Sequence, residues 1–313
     1  MKSRSRGFAA VDVLLILMMI LPILCAIVLK ILTTPASEGI TITGAQIYFV
    51  IPMPLQDLPI TTAQVNSWLV LISILGLCLY LTHGIRVREG TKRQLLAEWI
   101  VEKVEAMVGE SMGEFFRGYG PFIAAIIGLS AFSSLLSLFG LYPPTSDINV
   151  IAGWSILVFI LITYYKLKGG VLNYLKGFTE PIFVMTPLNI LGEIATPISM
   201  AFRHYGNVLS GSVIAVLIAT ALQGLSSLVL GWLPGVLGEI PFLQIGIPAV
   251  LSIYFDVFSG CMQAYIFAML TMLNISGGFP QELYEARMKR KMAKKAEKAK
   301  QAALSAEGVQ DAN

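Results

Sequence analysis

One arginine lies inside a long apolar stretch of this chain, where a permanent charge needs a reason. The stretch PISMAFRHYGNVLSGSVIAVLIATAL, residues 197–222, contains Arg203. A charge at the centre of a membrane helix costs at least about 2.5–3.5 kcal/mol, and charges that persist there are usually functional. Snorkelling does not remove the cost, because Arg203 lies about 24 Å along a helix that starts near Pro187. A fixed guanidinium repels a passing proton and attracts a carboxylate.

Polar side chains accompany Arg203 along one face of the predicted helix. Steps of three or four residues keep them within roughly 40° of the arginine. They are Thr196, Ser199, Asn207 and Ser210. Gly206 and Gly211 lie beside this face and would allow another helix to approach closely. Small and polar residues also occur in ordinary membrane-helix packing, and a buried structural ion pair is a further alternative, but the central arginine favours a functional surface.

Two acids lie in neighbouring apolar segments. Asp256 belongs to a second polar stripe on the last predicted helix, formed by Ser252, Asp256, Ser259 and Gln263. It could pair with Arg203, but the predicted depths differ, so we expect Asp256 to line a water-accessible cavity open to the outside. Glu193 lies ten residues before Arg203, about 15 Å nearer the cytoplasm.

An inner acid, a central cation and an outer acid, in that order, suit a proton path interrupted by a positive barrier. No carboxylate at the predicted depth of Arg203 is evident in this chain. We therefore expect a second protein to supply it.

The composition indicates the elements that must position these residues. Hydrophobic residues make up 56% of the chain and charged residues 13%, against about 25% charged residues in a soluble domain. The apolar runs predict an all-α integral membrane protein with about six transmembrane helices. They lie at about residues 8–32, 67–81, 121–141, 150–165, 187–228 and 245–273. Residues 91–117 have apolar and acidic faces at helical spacing, which predicts an amphipathic interfacial helix.

Basic residues fix the predicted topology. Four basic clusters fall on one side of the six spans: the N-terminus and residues 86–93, 166–168 and 287–300. The opposite loops, residues 34–66, 142–149 and 229–244, contain no Lys or Arg. The positive-inside rule then puts both termini in the cytoplasm. The tail holds eight of the 22 basic residues, and we expect it to flank the membrane rather than to bind nucleic acid.

The chain divides into three predicted parts. Residues 1–66 hold an N-terminal span and an outer loop, 67–278 a membrane core, and 279–313 a basic cytoplasmic tail. The first span could instead be a signal sequence cleaved after Ala36, but its apolar run is about twice the usual length. Cys25, Cys78 and Cys261 have no metal-like spacing and the chain has two histidines, so we expect neither a metal site nor a cofactor.

Two segments resemble subunit a of the F-type ATP synthase. They are PLNILGEIATPISMAFRHYGNVLSGSVI and FDVFSGCMQAYIFAMLTML, and PPTSDINV and the amphipathic segment fall in the family's order. The resemblance covers about residues 67–278. It implies two long tilted helices curving around a rotating ring of c subunits, b-type peripheral stalk subunits as further partners, and a bacterial plasma membrane location.

The resemblance also implies roles for individual residues. Arg203 matches the family's essential arginine, with Asn207 and Gln263 as its polar neighbours. Ser210 shares the face of Arg203, and Asp256 falls where relatives carry a His or Glu of the outer half-channel. Asp147 and Asn149 match a polar pair near the outer entrance, and Glu193 matches an acid toward the cytoplasmic exit.

Two positions depart from the family pattern. Ser212 replaces a common acid, and it lies nearly opposite Arg203 on a helical wheel. The family commonly has RLFGN where this chain has RHYGN, so His204 is either a helix-packing residue or a relay.

The implied function is a non-catalytic, proton-translocating stator subunit with two aqueous half-channels against the c-ring. The absence of a GxxxxGK[ST] loop fits this role. One alternative is an ion-coupled secondary transporter that binds an anion at Arg203, but the inverted repeats and broken helices typical of that class are not visible. A structural scaffold, the other alternative, would leave two aligned polar stripes unexplained.

Overall fold

Six apolar helices dominate the computed structural model of this chain. The structure describes residues 2–33, 44–54, 56–85, 91–179, 182–230, 246, 250–251, 253–286, 288–290 and 292. The helices long and apolar enough to cross a membrane lie at Ala10–Thr33, Thr62–Thr82, Glu114–Phe139, Ile148–Lys168, Phe183–Val229 and Ile253–Gly277. The prediction of an all-α protein with about six spans is confirmed.

The first two helices pack closely against each other. Helix α1 covers Lys2–Thr33 and α2 covers Thr62–Thr82. A Cβ on Gly76 of α2 would lie 2.9 Å from the Met19 backbone nitrogen of α1, so glycine permits the close approach. The Ser73 hydroxyl donates a hydrogen bond of 2.6 Å to the Met19 carbonyl oxygen. The possible cleavage after Ala36 lies outside the described residues.

A β-hairpin lies between these helices, where the sequence predicts only a loop with a short surface segment. Strands β1, Ile47–Ile51, and β2, Leu58–Thr61, pair antiparallel. The prolines of this region argue against strands in a sequence, yet Pro59 fits because each strand of a two-stranded sheet is an edge strand. Residues 34–43 of the predicted outer loop lie outside the described part of the chain.

Helix α3, Lys92–Met112, is the predicted amphipathic helix and ends five residues earlier than expected. Gly113, with a φ of +81°, breaks it before a 3₁₀ helix at Glu114–Tyr119. Arg93 ties α3 to α1, because its Nη1 lies 2.8 Å from Asp12 Oδ1. This carboxylate raises the pKa of the Arg93 guanidinium, which therefore stays charged.

The third and fourth spans follow as a hairpin of helices. Helix α4 covers Gly120–Leu135 and continues as a 3₁₀ helix at Leu136–Phe139. Another 3₁₀ turn at Pro144–Ser146 leads into α5, Ile148–Lys168. Between the fourth and fifth predicted spans lie a short helix, α6, Val171–Thr179, and a 3₁₀ turn at Phe183–Met185. Gly169 and Gly170 hid α6 from sequence reasoning, because glycines usually mark loops.

Two elements carry most of the predicted site. Helix α7 is continuous over Thr186–Leu230, a length of 45 residues. A π-helix at Ile253–Ser259 leads into α8, Gly260–Gly277. Residues 231–244 of the predicted outer loop, most of residues 245–252 at the start of the last predicted span, and most of the basic tail lie outside the described residues.

The chain forms two compact units. The first contains Met1–Ser155 and Ile198–Met272, and the second contains Ile156–Pro197 and Leu273–Asn313. The first unit has a core of apolar residues from α1, α2 and the segment after α4, namely Ala26, Val70, Leu136 and Leu141. Each unit holds its own cluster of the predicted site residues.

Candidate ion-translocation site

The predicted polar face of α7 is exposed in the first unit. Arg203, Asn207 and Ser210 all lie on the surface of this unit. Since they are separated by four and three residues on one continuous helix, they share a face. The face holds a cation, an amide and a hydroxyl side by side, which can attract and hydrogen-bond an approaching carboxylate.

His204 points away from this face and is buried, with 1% of its surface exposed. Its Nε2 lies 3.3 Å from the Ser130 hydroxyl of α4. Its ring meets Phe267 and Trp154 edge-on, at centroid distances of 5.6 Å and 6.4 Å. Nδ1 has no hydrogen-bond partner among the described residues. These contacts on three sides favour the helix-packing role over the relay for His204.

Asp256 lines a cavity of about 230 Å³ in the first unit. The polar residues around this Asp256 cavity come from four segments of the chain. They are Ser134, Ser137, Tyr142, Ser146, Asn207, Ser212, Asp256 and Ser259. Hydroxyls and an amide at this density can hold ordered water. Asn207 belongs both to the exposed face of α7 and to the lining of the cavity.

The π-helix changes the predicted second stripe. Asp256 and Ser259 lie within it and line the cavity, whereas Gln263, one turn into α8, is buried at 6% exposure and does not line it. The predicted stripe requires uniform α-helical spacing from Ser252 to Gln263. A π-helix has more residues per turn, so Gln263 is rotated off the face that carries Asp256. Ser252 lies outside the described residues.

Close packing beside Gly260 fixes one wall of the Asp256 cavity. A Cβ on Gly260 would lie 2.7 Å from the Ser134 Cβ, so α8 approaches α4 as closely as glycine allows. Ser134 in turn lies 3.1 Å from the Thr145 hydroxyl. The wall is therefore both tight and polar.

Asp147 and Asn149 lie together, as the sequence predicts for a polar pair. Asp147 Oδ1 accepts hydrogen bonds from the Asn149 backbone nitrogen at 2.9 Å and from its side-chain amide at 3.1 Å. Asp147 immediately precedes α5, so this arrangement also serves as a helix N-cap. Nearby, burial raises the pKa of the Tyr142 hydroxyl. Because its pKa is raised, the Tyr142 hydroxyl stays protonated where it lines the Asp256 cavity.

Glu193 lies in the second unit and forms an ion pair that sequence reasoning missed. Lys166 Nζ lies 2.6 Å from Glu193 Oε2 and 2.8 Å from Oε1. The Tyr174 hydroxyl of α6 donates to Oε1 at 3.4 Å. Burial, and then the neighbouring carboxylate, raise the pKa of Tyr174, which keeps this hydroxyl a donor.

Two cavities border this ion pair within the second unit. The larger is about 500 Å³ and is also lined by Tyr174. The smaller is about 240 Å³ and is also lined by Thr196. Lys166 and Glu193 line both of these cavities, which we call the Glu193 cavities. The ion pair therefore lies where the two cavities meet. Sequence reasoning used Lys166 only as a marker of membrane topology, and no sequence signal joins it to an acid 27 residues away.

The fold and these polar clusters define a class of protein: a multi-pass membrane protein with charged side chains on its membrane-spanning helices. The family model of the ATP synthase A chain matches residues 64–276. Relatives include the sodium ion specific ATP synthase subunit a of Propionigenium modestum. It is 25% identical over 275 residues, covering 78% of this chain and 88% of that protein. The ATP synthase subunit a of Trichlorobacter lovleyi is 29% identical over 224 residues, covering 70% and 87%. That of Bacillus pumilus is 31% identical over 220 residues, covering 66% and 86%.

The chain belongs to the ATP synthase A chain family. It is an ion-translocating stator component of the membrane sector of an F-type ATP synthase. The expectation drawn from the two signature segments is confirmed, and the alternative of a secondary transporter with an anion site at Arg203 is not favoured.

Proposed function

We propose that the exposed face of α7 bearing Arg203 is where a c-ring carboxylate arrives and exchanges its proton. The observation that carries this proposal is the exposure of Arg203, Asn207 and Ser210 together on one face of a membrane span. A charge exposed to lipid there is costly, and a partner that brings a carboxylate to the guanidinium removes that cost. The chain's role is translocation, with no bond-making chemistry of its own.

The Asp256 cavity serves as the outer half-channel in this proposal. Its lining of hydroxyls and one carboxylate supports a hydrated path, and Asn207 links it to the exposed face of α7. Asp147 and Asn149 would form the polar rim of this path. Gln263, buried in α8, would keep the surroundings of Arg203 polar.

The Glu193 cavities serve as the inner half-channel. Glu193, with Thr196 beside it in the lining of the smaller cavity, offers protonatable and hydrogen-bonding groups. Arg203 would separate the two half-channels, because a guanidinium repels a passing proton and favours the ionised form of the carboxylate that meets it. The proton of that carboxylate then leaves to water in a half-channel.

The proposal extends to partners and location. The subunit works against a ring of c subunits and is held by b-type peripheral stalk subunits within the ATP synthase. It lies in a bacterial plasma membrane with a cytoplasmic C-terminus, as the distribution of basic residues favours. We propose H⁺ as the coupling ion. The sodium ion specificity in the name of the Propionigenium modestum protein is a property of that protein.

Replacement of Arg203 tests this function. In inverted membrane vesicles without added Na⁺, R203A should abolish ATP-driven proton pumping while the complex still assembles. R117A is the matched control, because Arg117 is an exposed arginine paired only loosely with Glu114, at 3.5 Å. Pumping at the rate of the unmodified complex in R203A, with R117A equally active, would overturn the proposal.

A further inference from the structure

The ion pair between Lys166 and Glu193 carries an inference about how the inner half-channel works. Lys166 Nζ contacts both oxygens of the carboxylate, at 2.6 Å and 2.8 Å, so the ammonium sits between them. The side chains are 27% and 16% exposed, which places the pair partly inside the protein. Charge-assisted contacts of this length are among the stronger hydrogen bonds.

Lys166 supplies the positive charge next to Glu193 among the described residues that line these cavities. Among the described residues that line the two Glu193 cavities, the titratable ones are Lys166, Tyr174 and Glu193. Tyr174 approaches from α6 at 3.4 Å and supplies a hydroxyl without charge. The described residues of the last helix that line the cavities carry no charge. The charge that compensates Glu193 within this lining is therefore the Lys166 ammonium.

Glycine makes room for the lysine. A Cβ on Gly278 would lie 3.0 Å from Lys166 Cε and 3.2 Å from its Cγ. The lysine stem thus lies against bare backbone, and its flexible four-carbon chain borders a cavity of about 500 Å³. The ammonium end contacts the carboxylate and has cavity space beside it.

We infer that Lys166 is a positioning residue of the inner half-channel, which holds the Glu193 carboxylate where the two Glu193 cavities meet. The inference rests on the proposed function of Glu193. In the paired state the carboxylate is fixed between the cavities and its charge is neutralised. A proton reaches an oxygen of Glu193 when the ammonium moves off that oxygen, and the returning ammonium displaces the proton onward to water.

The test is ATP-driven proton pumping in inverted vesicles, normalised to the amount of assembled complex. E193Q and K166M should each lower the rate about tenfold, the scale expected for losing a charged hydrogen bond. K166R should recover the rate to within about threefold of the unmodified complex, because a guanidinium also binds a carboxylate through two contacts. K168M is the matched control, since Lys168 lies at the same helix end, over the Tyr165 ring at 4.4 Å.

The double variant separates positioning from a general structural effect. If Lys166 acts through Glu193, K166M/E193Q should pump no more slowly than E193Q alone. The inference would be overturned if the double variant were slowed by the product of the two single effects. It would also be overturned if K166M pumped as fast as the control K168M while E193Q pumped slowly. If K166M fails to assemble, K166Q retains a donor without the charge and carries the same expectation.

The two proposals fail in different ways. An unchanged rate in E193Q would overturn the proposed role of Glu193, and this inference with it. A slow E193Q beside an unchanged K166M would overturn the role of Lys166 alone.

Discussion

Asp256 and Glu193 are two acids of one membrane protein in contrasting surroundings. Asp256 lines a cavity whose described residues include hydroxyls and an amide but no Lys, Arg or His. Glu193 is held by Lys166 at 2.6 Å, at the meeting of two cavities. The two acids therefore have different neighbours in the described linings of their cavities: hydroxyls and an amide around Asp256, and an ammonium beside Glu193.

The contrast has a consequence for ion transfer. A carboxylate held in an ion pair accepts a proton only when the pair opens, so the Lys166 contact adds a step at Glu193. Environment, rather than residue type, sets the roles of two like groups. We expect the Asp256 cavity to conduct and the Glu193 site to regulate.

Of the substitutions that test this comparison, removal of the Asp256 charge should have the largest effect on proton flux. D256N should slow proton uptake through the proposed outer half-channel by about 100-fold, the lower range for loss of a proton-transferring group. The measurement is passive proton flux through the membrane sector in reconstituted vesicles. D57N is the control, because it makes the same chemical change at an exposed aspartate that does not line the cavity. Equal fluxes in the two variants would contradict the prediction.

A steric change in the wall of the Asp256 cavity should have the next largest effect. In G260A the new methyl group would meet Ser134 Cβ at 2.7 Å, and overpacking of this kind costs about 1–3 kcal/mol. We expect less assembled complex and slower pumping. G128A adds a methyl group to α4 where no atom lies within 4 Å, so it should behave as the unmodified chain. Normal assembly and pumping in G260A would show that the wall is not tight.

The third hydrogen bond at Glu193 should matter less than the lysine. Y174F removes a long contact of 3.4 Å from a neutral hydroxyl, which is worth about 0.5–1 kcal/mol. The pumping rate should fall by less than about fivefold. If the pumping rate fell as far in Y174F as in K166M, the phenol would position Glu193 as strongly as the ammonium does, which would contradict the prediction.

Substitution of His204 should have the smallest effect. H204L gives the residue that the related motif RLFGN carries, removes one hydrogen bond to Ser130 and also removes the buried Nδ1 that lacks a described partner. These changes oppose each other, so pumping should stay within about twofold. A tenfold loss in H204L, with normal assembly, would instead identify His204 as a proton relay.

The sequence predicts the spans well because each is a long apolar run with a clear basic flank. It misses the hairpin around Pro59 and the short helix α6, because prolines and glycines usually mark loops. An edge strand tolerates Pro59, and α6 begins directly after Gly169 and Gly170 and contains Gly177.

The site is only partly predictable for a related reason. The exposed grouping of Arg203, Asn207 and Ser210 follows from helical spacing alone, because α7 is regular. The Asp256 stripe does not, because a π-helix changes the spacing before Gln263. The partner of Glu193 comes from a different helix, and a contact between helices leaves no pattern in a single sequence.

The central claim is that the Asp256 cavity and the Glu193 cavities open to opposite sides of the membrane. The direct measurement places one cysteine in each, S259C and N173C, after the native Cys25, Cys78 and Cys261 have been replaced by serine. A membrane-impermeant thiol reagent is then added to vesicles of each orientation, because thiols react where water reaches them. We predict that S259C reacts only from the outer side and N173C only from the cytoplasmic side. Labelling of both cysteines from the same side would contradict the account.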